Sequence, residues 1–201
     1  MKFDIPIAWP DPRHPARRIN LCSGRADASR LKNKIAFDAF NAAFADGDFP
    51  ATRFDFCELF VNGEWMGVWE ACGSNRDIVP DDTLLYKLRV EQRRLWRTTE
   101  TSFVDCLSTP NGMEGDPYKP IAELFEFTAK SSPECFAKEL SSRFSLENLI
   151  DYYLVVNCID DADGVFANQY FARCPGKGKF LIIPWDCDEI LLNPGTPHSN
   201  Y

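Results

Sequence analysis

Asp163 and Asn168 stand in the order D-x-x-x-x-N, and Asp186 and Asp188 follow a short apolar run at residues 180–183. These residue types suit phosphoryl transfer. A loop Asp can meet an attacking hydroxyl, while an Asn five residues on and an Asp on the next hairpin can hold the metal ions that offset phosphate charge. Mg2+ asks for hard oxygen donors, and a carboxamide with one or two carboxylates leaves places for water and phosphate oxygens. Asp186 and Asp188 sit at i and i+2, so they share a side if the backbone is extended there. Two like charges so close favour a cation between them. Asp160, Asp161 and Asp163 follow a helical stretch, where acids oppose the helix dipole; that cost argues a role for at least one of them. A calcium loop of the EF-hand kind opened by Asp161 requires Glu at position 172, where the chain has Ala172.

Several elements must place these residues. Asp27 is suited to cap a helix over residues 28–44, with Leu31, Ile35, Ala39, Phe40 and Phe44 recurring on one face and Gly47 ending it. Residues 53–61 alternate, with Phe54, Phe56 and Phe60 on one side. Asn62-Gly63 then marks a hairpin, and residues 64–71 return. Residues 84–90 form a further strand, with Leu85, Lys87 and Arg89 on one face and Leu84, Tyr86, Leu88 and Val90 on the other. Residues 1–26 connect, apart from a short apolar piece at 19–22, and residues 91–116 form a surface excursion. Pro120 and Pro133 suit helix first turns, with Ser132 as a cap. A long helix from Ser145 turns Leu146, Leu149, Ile150, Tyr153, Leu154 and Asn157 to one face and delivers the chain to the Asp cluster. A hairpin of residues 168–174 and 180–185, closed through residues 175–178, carries Asn168 at its start and Asp186 just past its end.

Composition narrows the class. The chain has 201 residues, the size of one domain, and 45% of them are hydrophobic, enough for a packed core. A net charge of −8 speaks against general affinity for nucleic acid. No apolar run approaches a membrane span of roughly 20 residues, and the first residues lack the pattern of a secretory signal. The eight cysteines are widely spaced with no C-x-x-C, so buried free thiols are expected rather than zinc ligands, and a cytoplasmic setting with them. Cys187, between two acids, reads as packing, since neighbouring carboxylates raise a thiol's pKa. Lys87, taken alone, reads as an outward lysine blunting a sheet edge. His14 and His198 are assigned no role.

Four stretches, in order, resemble the spore-coat-protein-H (CotH) kinase family: INLCSGRADASRLKNKIAFDAF, CELFVNGEWMGVWE, LLYKL, and SLENLIDYYLVVNCIDDADGVFANQYFARCPGKGKFLIIPWDCDE. The resemblance covers roughly residues 18–192. It implies an α+β, atypical protein-kinase-like fold: a small antiparallel sheet plus a helix, then a helix-rich part with the catalytic hairpin, and the nucleotide between them. It also implies that residues 1–201 are a single partial domain, incomplete at both ends. By the same resemblance Asp163 corresponds to the catalytic-loop Asp, Asn168 and Asp186 to metal-holding residues with Asp188 as helper, and Lys87 to the lysine on the nucleotide phosphates. ATP and Mg2+ are the implied cofactors, Ser/Thr side chains of a protein the implied acceptors, and the cytoplasm or spore coat the implied setting.

One departure bears on the site. The acid that follows the hairpin in the family falls on Gly73 here; Glu70 is the nearest acid and substitutes if its strand neighbours that of Lys87. No glycine-rich phosphate loop is present in the sequence. Two alternatives follow: a non-catalytic relative that binds a protein partner in a surface or assembly role, and a transferase of another group, such as a nucleotidyl group, on the same fold.

Overall fold

The Asn-Gly pair at 62–63 sets the first hairpin. The computed structural model describes residues 2–7, 9, 16–24, 27–44, 51–88, 101–173 and 178–191; Arg89, Val90, Gly47, His14, His198 and residues 175–177 lie outside them. Strands β3 (Phe54–Val61) and β4 (Glu64–Gly73) pair antiparallel. Asn62 and Gly63 take φ of 53° and 85°, the two left-handed positions of a type I′ turn. On the other side of β4 lies β2 (Ala16–Cys22), with β1 (Lys2–Ile7) outside it, in the order β1-β2-β4-β3. The amino-terminal segment, expected mainly to connect, thus supplies two strands. Its signal is thin because the adjacent Arg17 and Arg18 separate the buried Ala16 and Ile19. Of the expected Phe stripe, only Phe54 is buried, against Phe37 at 4.6 Å between ring centres. Phe60 is 57% exposed, since no described element covers the turn end of the hairpin.

Helix α1 (Lys32–Ala43) packs on β3 and starts later than expected. Asp27 still governs its start: Oδ1 accepts from Ser29 N at 2.9 Å, and Oδ2 from Leu31 N and Lys32 N, both at 2.9 Å. Four residues separate the cap from the first helical turn because Arg30 adopts φ of 55°. The buried face is Asn33, Ala36, Phe37, Phe40, Asn41 and the flanking Phe44, whereas Leu31 and Ile35 are exposed. The stripe is rotated from the one expected because α1 must cover the sheet and an adjoining helix at once.

The second sheet has the order β6-β5-β7-β8, from β5 (Leu84–Leu88), β6 (Val104–Ser108), β7 (Gln169–Arg173) and β8 (Phe180–Pro184). Both faces are covered. Leu84, Tyr86, Leu88, Phe171 and Ile182 enter the main core; Leu85, Tyr170, Leu181 and Ile183 meet Ile78 and Val79 on the other side. That explains the unbroken apolar run of β8. Strand β6 lies in the expected surface excursion; its five residues carry little signal without β5 as a partner. The fold class is α+β with two antiparallel sheets, and the β7–β8 hairpin, expected in a helix-rich part, belongs to the second sheet.

Three helices flank this sheet. α2 (Lys119–Lys130) and α3 (Pro133–Arg143) each place Pro in the first turn, and Ser132 accepts from Cys135 N at 3.2 Å. α4 (Leu146–Cys158) buries Asn148, Tyr152, Val155 and Val156, while Leu146, Ile150, Tyr153, Leu154 and Asn157 are exposed. The expected face is therefore the outer one, and only Leu149 of that set packs against the core. Asn148 ties α4 to the outer strand of the sheet: Nδ2 donates to Ile182 O at 3.0 Å, and Oδ1 accepts from Ile182 N at 2.7 Å. Asn148→Leu strands both groups out of water and is expected to cost about 2–4 kcal/mol, read as a lower urea midpoint at unchanged slope.

Candidate active site

The site begins where α4 stops. Asp160 takes φ of 52°, Asp161 N donates to Val156 O at 2.9 Å, and Asp160 N to Asn157 O at 3.4 Å. This is a Schellman ending, which reverses the chain and satisfies the last helix carbonyls. The reversal turns Asp161 inward, to 2% exposure. There it caps the short helix α5 (Ala162–Phe166), with Oδ1 accepting from Gly164 N at 2.9 Å. A Cβ at Gly164 would lie 2.5 Å from Asp161 Oδ2 and 2.7 Å from Val156 Cγ1. Gly164→Ala is expected to destabilise by about 1–3 kcal/mol through overpacking, seen as a drop in Tm.

α5 carries Asp163, and its main chain leads directly to the next predicted residue. Asp163 O accepts from Ala167 N at 2.8 Å and from Asn168 N at 3.0 Å. Asn168 then faces the end of β8: its O accepts from Trp185 N at 3.1 Å, and its Nδ2 donates to Asp186 O at 2.9 Å. Asp163, Asn168 and Asp186 are thus joined in one chain of hydrogen bonds. Asp186 has φ of 57°, a conformation that Asp tolerates better than most side chains. The backbone is kinked rather than extended there, so the simple i, i+2 argument does not hold. Asp186 is exposed, Cys187 is fully buried and Asp188 is half-buried. The kink nonetheless leaves Asp186 and Asp188 lining one cavity of about 350 Å3, together with Glu70, Asn33, Trp185 and residues 22–24.

Lys87 lies on the inner strand β5, between β6 and β7, and not at a sheet edge. Its Nζ is 5.8 Å from the centre of the Tyr170 ring, and its charge offsets part of the rise that desolvation imposes on the pKa of Asp186. Glu70 does not become its strand neighbour, because β4 and β5 belong to different sheets. Glu70 instead faces α1, where Oε2 accepts from Asn33 Nδ2 at 3.2 Å. Gly73, where the family acid falls, is a buried position; a Cβ there would sit 3.4 Å from Thr52 Oγ1 and 3.7 Å from Ala16 Cβ.

The electrostatics are those of crowded acids. Partial desolvation of its carboxylate in the cleft pushes the pKa of Asp186 up, offset in part by Lys87 and reinforced by Asp163, and burial and then Asp186 push Asp188 up. Burial also raises Glu70, against the hydrogen bond from Asn33. Asp161 is pushed up to about 6, chiefly by burial, despite the Gly164 amide and the Cys187 thiol beside it. The Cys187 thiol is raised in turn by burial and by Asp161, so it packs rather than reacts. Among the described residues no three His, Cys, Asp or Glu side chains converge tightly enough to enclose an ion by themselves. A Mg2+ that keeps waters and takes phosphate oxygens needs only one or two carboxylates, and Asp186 with Asp188 meets that demand. The nitrogen of the Asn168 amide is committed to Asp186 O, so Oδ1 is the atom left to serve a cation. A separate cavity of about 240 Å3 under α2, α3 and α4 is lined by apolar side chains such as Phe125, Phe136 and Phe171 and holds no carboxylate.

Two residues of the site lay outside the sequence expectation. Asn33 carried a signal, a carboxamide three, four and seven positions before the apolar Ala36, Phe37 and Phe40, but the helix face was phased differently. Asp161 was grouped with its neighbours, and nothing local distinguishes the acid that turns inward. The seven described cysteines are free thiols; Cys72 and Cys187 are buried, whereas Cys158 is exposed. No described helix is long and apolar enough to cross a membrane.

Two antiparallel sheets, with a D-x-x-x-x-N turn and a WDxD turn hydrogen-bonded to each other beside a cavity lined by Glu70, Asp186 and Asp188, define an α+β protein with a cleft rich in carboxylates. Residues 9–196 match the family model described as CotH kinase protein, and the chain belongs to that family. It is 22% identical over 197 residues to the inner spore coat protein H of Bacillus subtilis (strain 168), a match covering 92% of this chain and 53% of that protein. The chain spans about half the length of that relative.

Proposed function

We propose that this chain is an ATP- and Mg2+-dependent protein kinase of the CotH type, acting on Ser/Thr hydroxyls of a spore-coat or surface protein. The observation that carries the proposal is the hydrogen-bonded chain from Asp163 through Asn168 to Asp186, opening on a cavity with Asp188. Asp163 orients the acceptor hydroxyl and takes its proton. The hydroxyl oxygen bonds to the γ-phosphorus as the bond to the β,γ-bridging oxygen breaks, and ADP leaves. Asp186 and Asn168 would hold Mg2+, with Asp188 assisting, and the ion when bound supplies neutralisation of phosphate charge. Lys87 adds a fixed positive charge on the same side as Asp186. Such a site works by positioning and electrostatics rather than covalent chemistry. Family membership, which implies a kinase-like fold, and the spore-coat relative support the substrate class.

Thermal unfolding with Mg2+ and ATP, alone and together, tests the proposal. The expected result is a rise in Tm that needs both, by about 2.7 kcal/mol of stabilisation at a hundredfold excess over Kd, and label from the γ-phosphate on a Ser/Thr acceptor. Absence of both would sink it. The second reading, a non-catalytic member that binds a protein partner, is favoured by Gly73, which carries no side chain where the family acid falls. Transfer of a nucleotidyl group would show as a nucleotide mass on the product.

A further inference from the structure

A buried carboxamide must satisfy both of its ends. Asn33, 5% exposed on the inner face of α1, does so across a long stretch of chain. Its Oδ1 accepts from Cys187 N at 2.9 Å, and its Nδ2 donates to Glu70 Oε2 at 3.2 Å. The direction of the amide is dictated. The Cys187 main-chain N–H can only donate, and an ionised Glu70 can only accept. Glu70 therefore orients Asn33.

The peptide unit that Asn33 grips is the one between Asp186 and Cys187. Its carbonyl, Asp186 O, accepts from Asn168 Nδ2 at 2.9 Å; its amide is held by Asn33. One peptide plane is thus pinned at both ends by two asparagines, one from α1 and one from the turn after α5. A pinned plane cannot flip, and Asp186 keeps a φ of 57° that few non-glycine residues adopt unless their surroundings hold them there. Glu70 Oε1, buried and without a hydrogen-bond partner, belongs to a side chain lining the same cavity as Asp186 and Asp188.

Resting on the kinase proposal above, we infer that Asn33 is a positioning residue for the metal–nucleotide site. Through the Cys187 amide it fixes the turn that presents Asp186 and Asp188, and Glu70 fixes Asn33.

A pair of exchanges tests this. At pH 8, Asn33→Asp keeps an acceptor for Cys187 but sets a second carboxylate against Glu70. The double variant Asn33→Asp with Glu70→Gln reverses donor and acceptor and restores both the pairing and the wild-type net charge. In the single variant, Cys187 amide exchange is expected to speed up about tenfold and Mg2+-ATP affinity to fall about tenfold, the scale of one charged hydrogen bond. In the double variant both should return to within about threefold of wild type. A single variant with a lower Tm but wild-type affinity and Cys187 exchange would reduce Asn33 to a packing residue and overturn the inference. So would a double variant that fails to recover, which also carries the test should the single variant not fold. If the wild type binds no Mg2+-ATP, the kinase proposal falls, while Cys187 exchange still decides whether Asn33 holds the turn.

Discussion

On the kinase proposal, Asp186→Asn is expected to remove the Mg2+-dependent stabilisation by ATP and to lower phosphoryl transfer by about three orders of magnitude, while the ligand-free protein melts within a few degrees of wild type. The rate effect is the several kcal/mol that a bound cation contributes to a transition state dense with charge. The choice of Asn separates chemistry from folding. Asp186 sits at φ of 57°, and Asn tolerates that conformation while Ala adds a backbone cost of its own. The main-chain oxygen that accepts from Asn168 is untouched. The lost charge is one that partial desolvation disfavours more than Lys87 favours it, with Asp163 adding to the cost, so the ligand-free fold is expected to lose little. Wild-type turnover in this variant would remove Asp186 from the mechanism. A collapsed Tm would mean that the turn depends on the carboxylate and not on the two asparagines.

The second large effect concerns stability and pH. Asp161 titrates near 6 in the fold, against 3.8 as its ordinary value. Between those two pH values the folded protein holds a proton that the unfolded chain has released, so this group makes stability fall as pH rises from about 4 to about 6. Above that window the cost is complete, about 3 kcal/mol for a shift of about two units. Asp161→Asn keeps an oxygen for the Gly164 amide and drops the buried charge. It is expected to be more stable than wild type by up to about 3 kcal/mol at pH 8 and little changed at pH 4, measured by urea unfolding at both. A loss at pH 8 would show that the ionised carboxylate is stabilised in the fold. An acid kept at such a cost, against Cys187 and near Asp163 and Asp188, is the kind that functional sites retain.

Local chemistry was legible from the residues. Asn62-Gly63 suits a turn that needs left-handed backbone at both positions, Pro120 and Pro133 suit a helix's first turn, where no amide hydrogen is needed, and Ser132 caps the second helix. The order Asp163, Asn168, Asp186 carried into space because the turn after α4 and the β7–β8 hairpin are short-range structures. The helix faces did not carry over. α4 has large apolar residues around most of its circumference, so periodicity announces a helix but leaves its phase open; packing against α1 and β8 chose Tyr152 and Val155 over Ile150 and Leu154.

What the sequence determined by itself is therefore the set of parts: the turns, the caps, the family, and the acids that could hold a cation. The tertiary structure alone decided their partners. It sent β4 and β5 to different sheets, which separated Glu70 from Lys87, and it brought Asn33 to Cys187 across 154 positions. It also chose Asp161 over Asp160 as the acid to bury. The reason is common to all three. Strand pairing, burial and the satisfaction of a buried polar group are set by residues distant in the chain, and no local pattern encodes which distant residue will arrive.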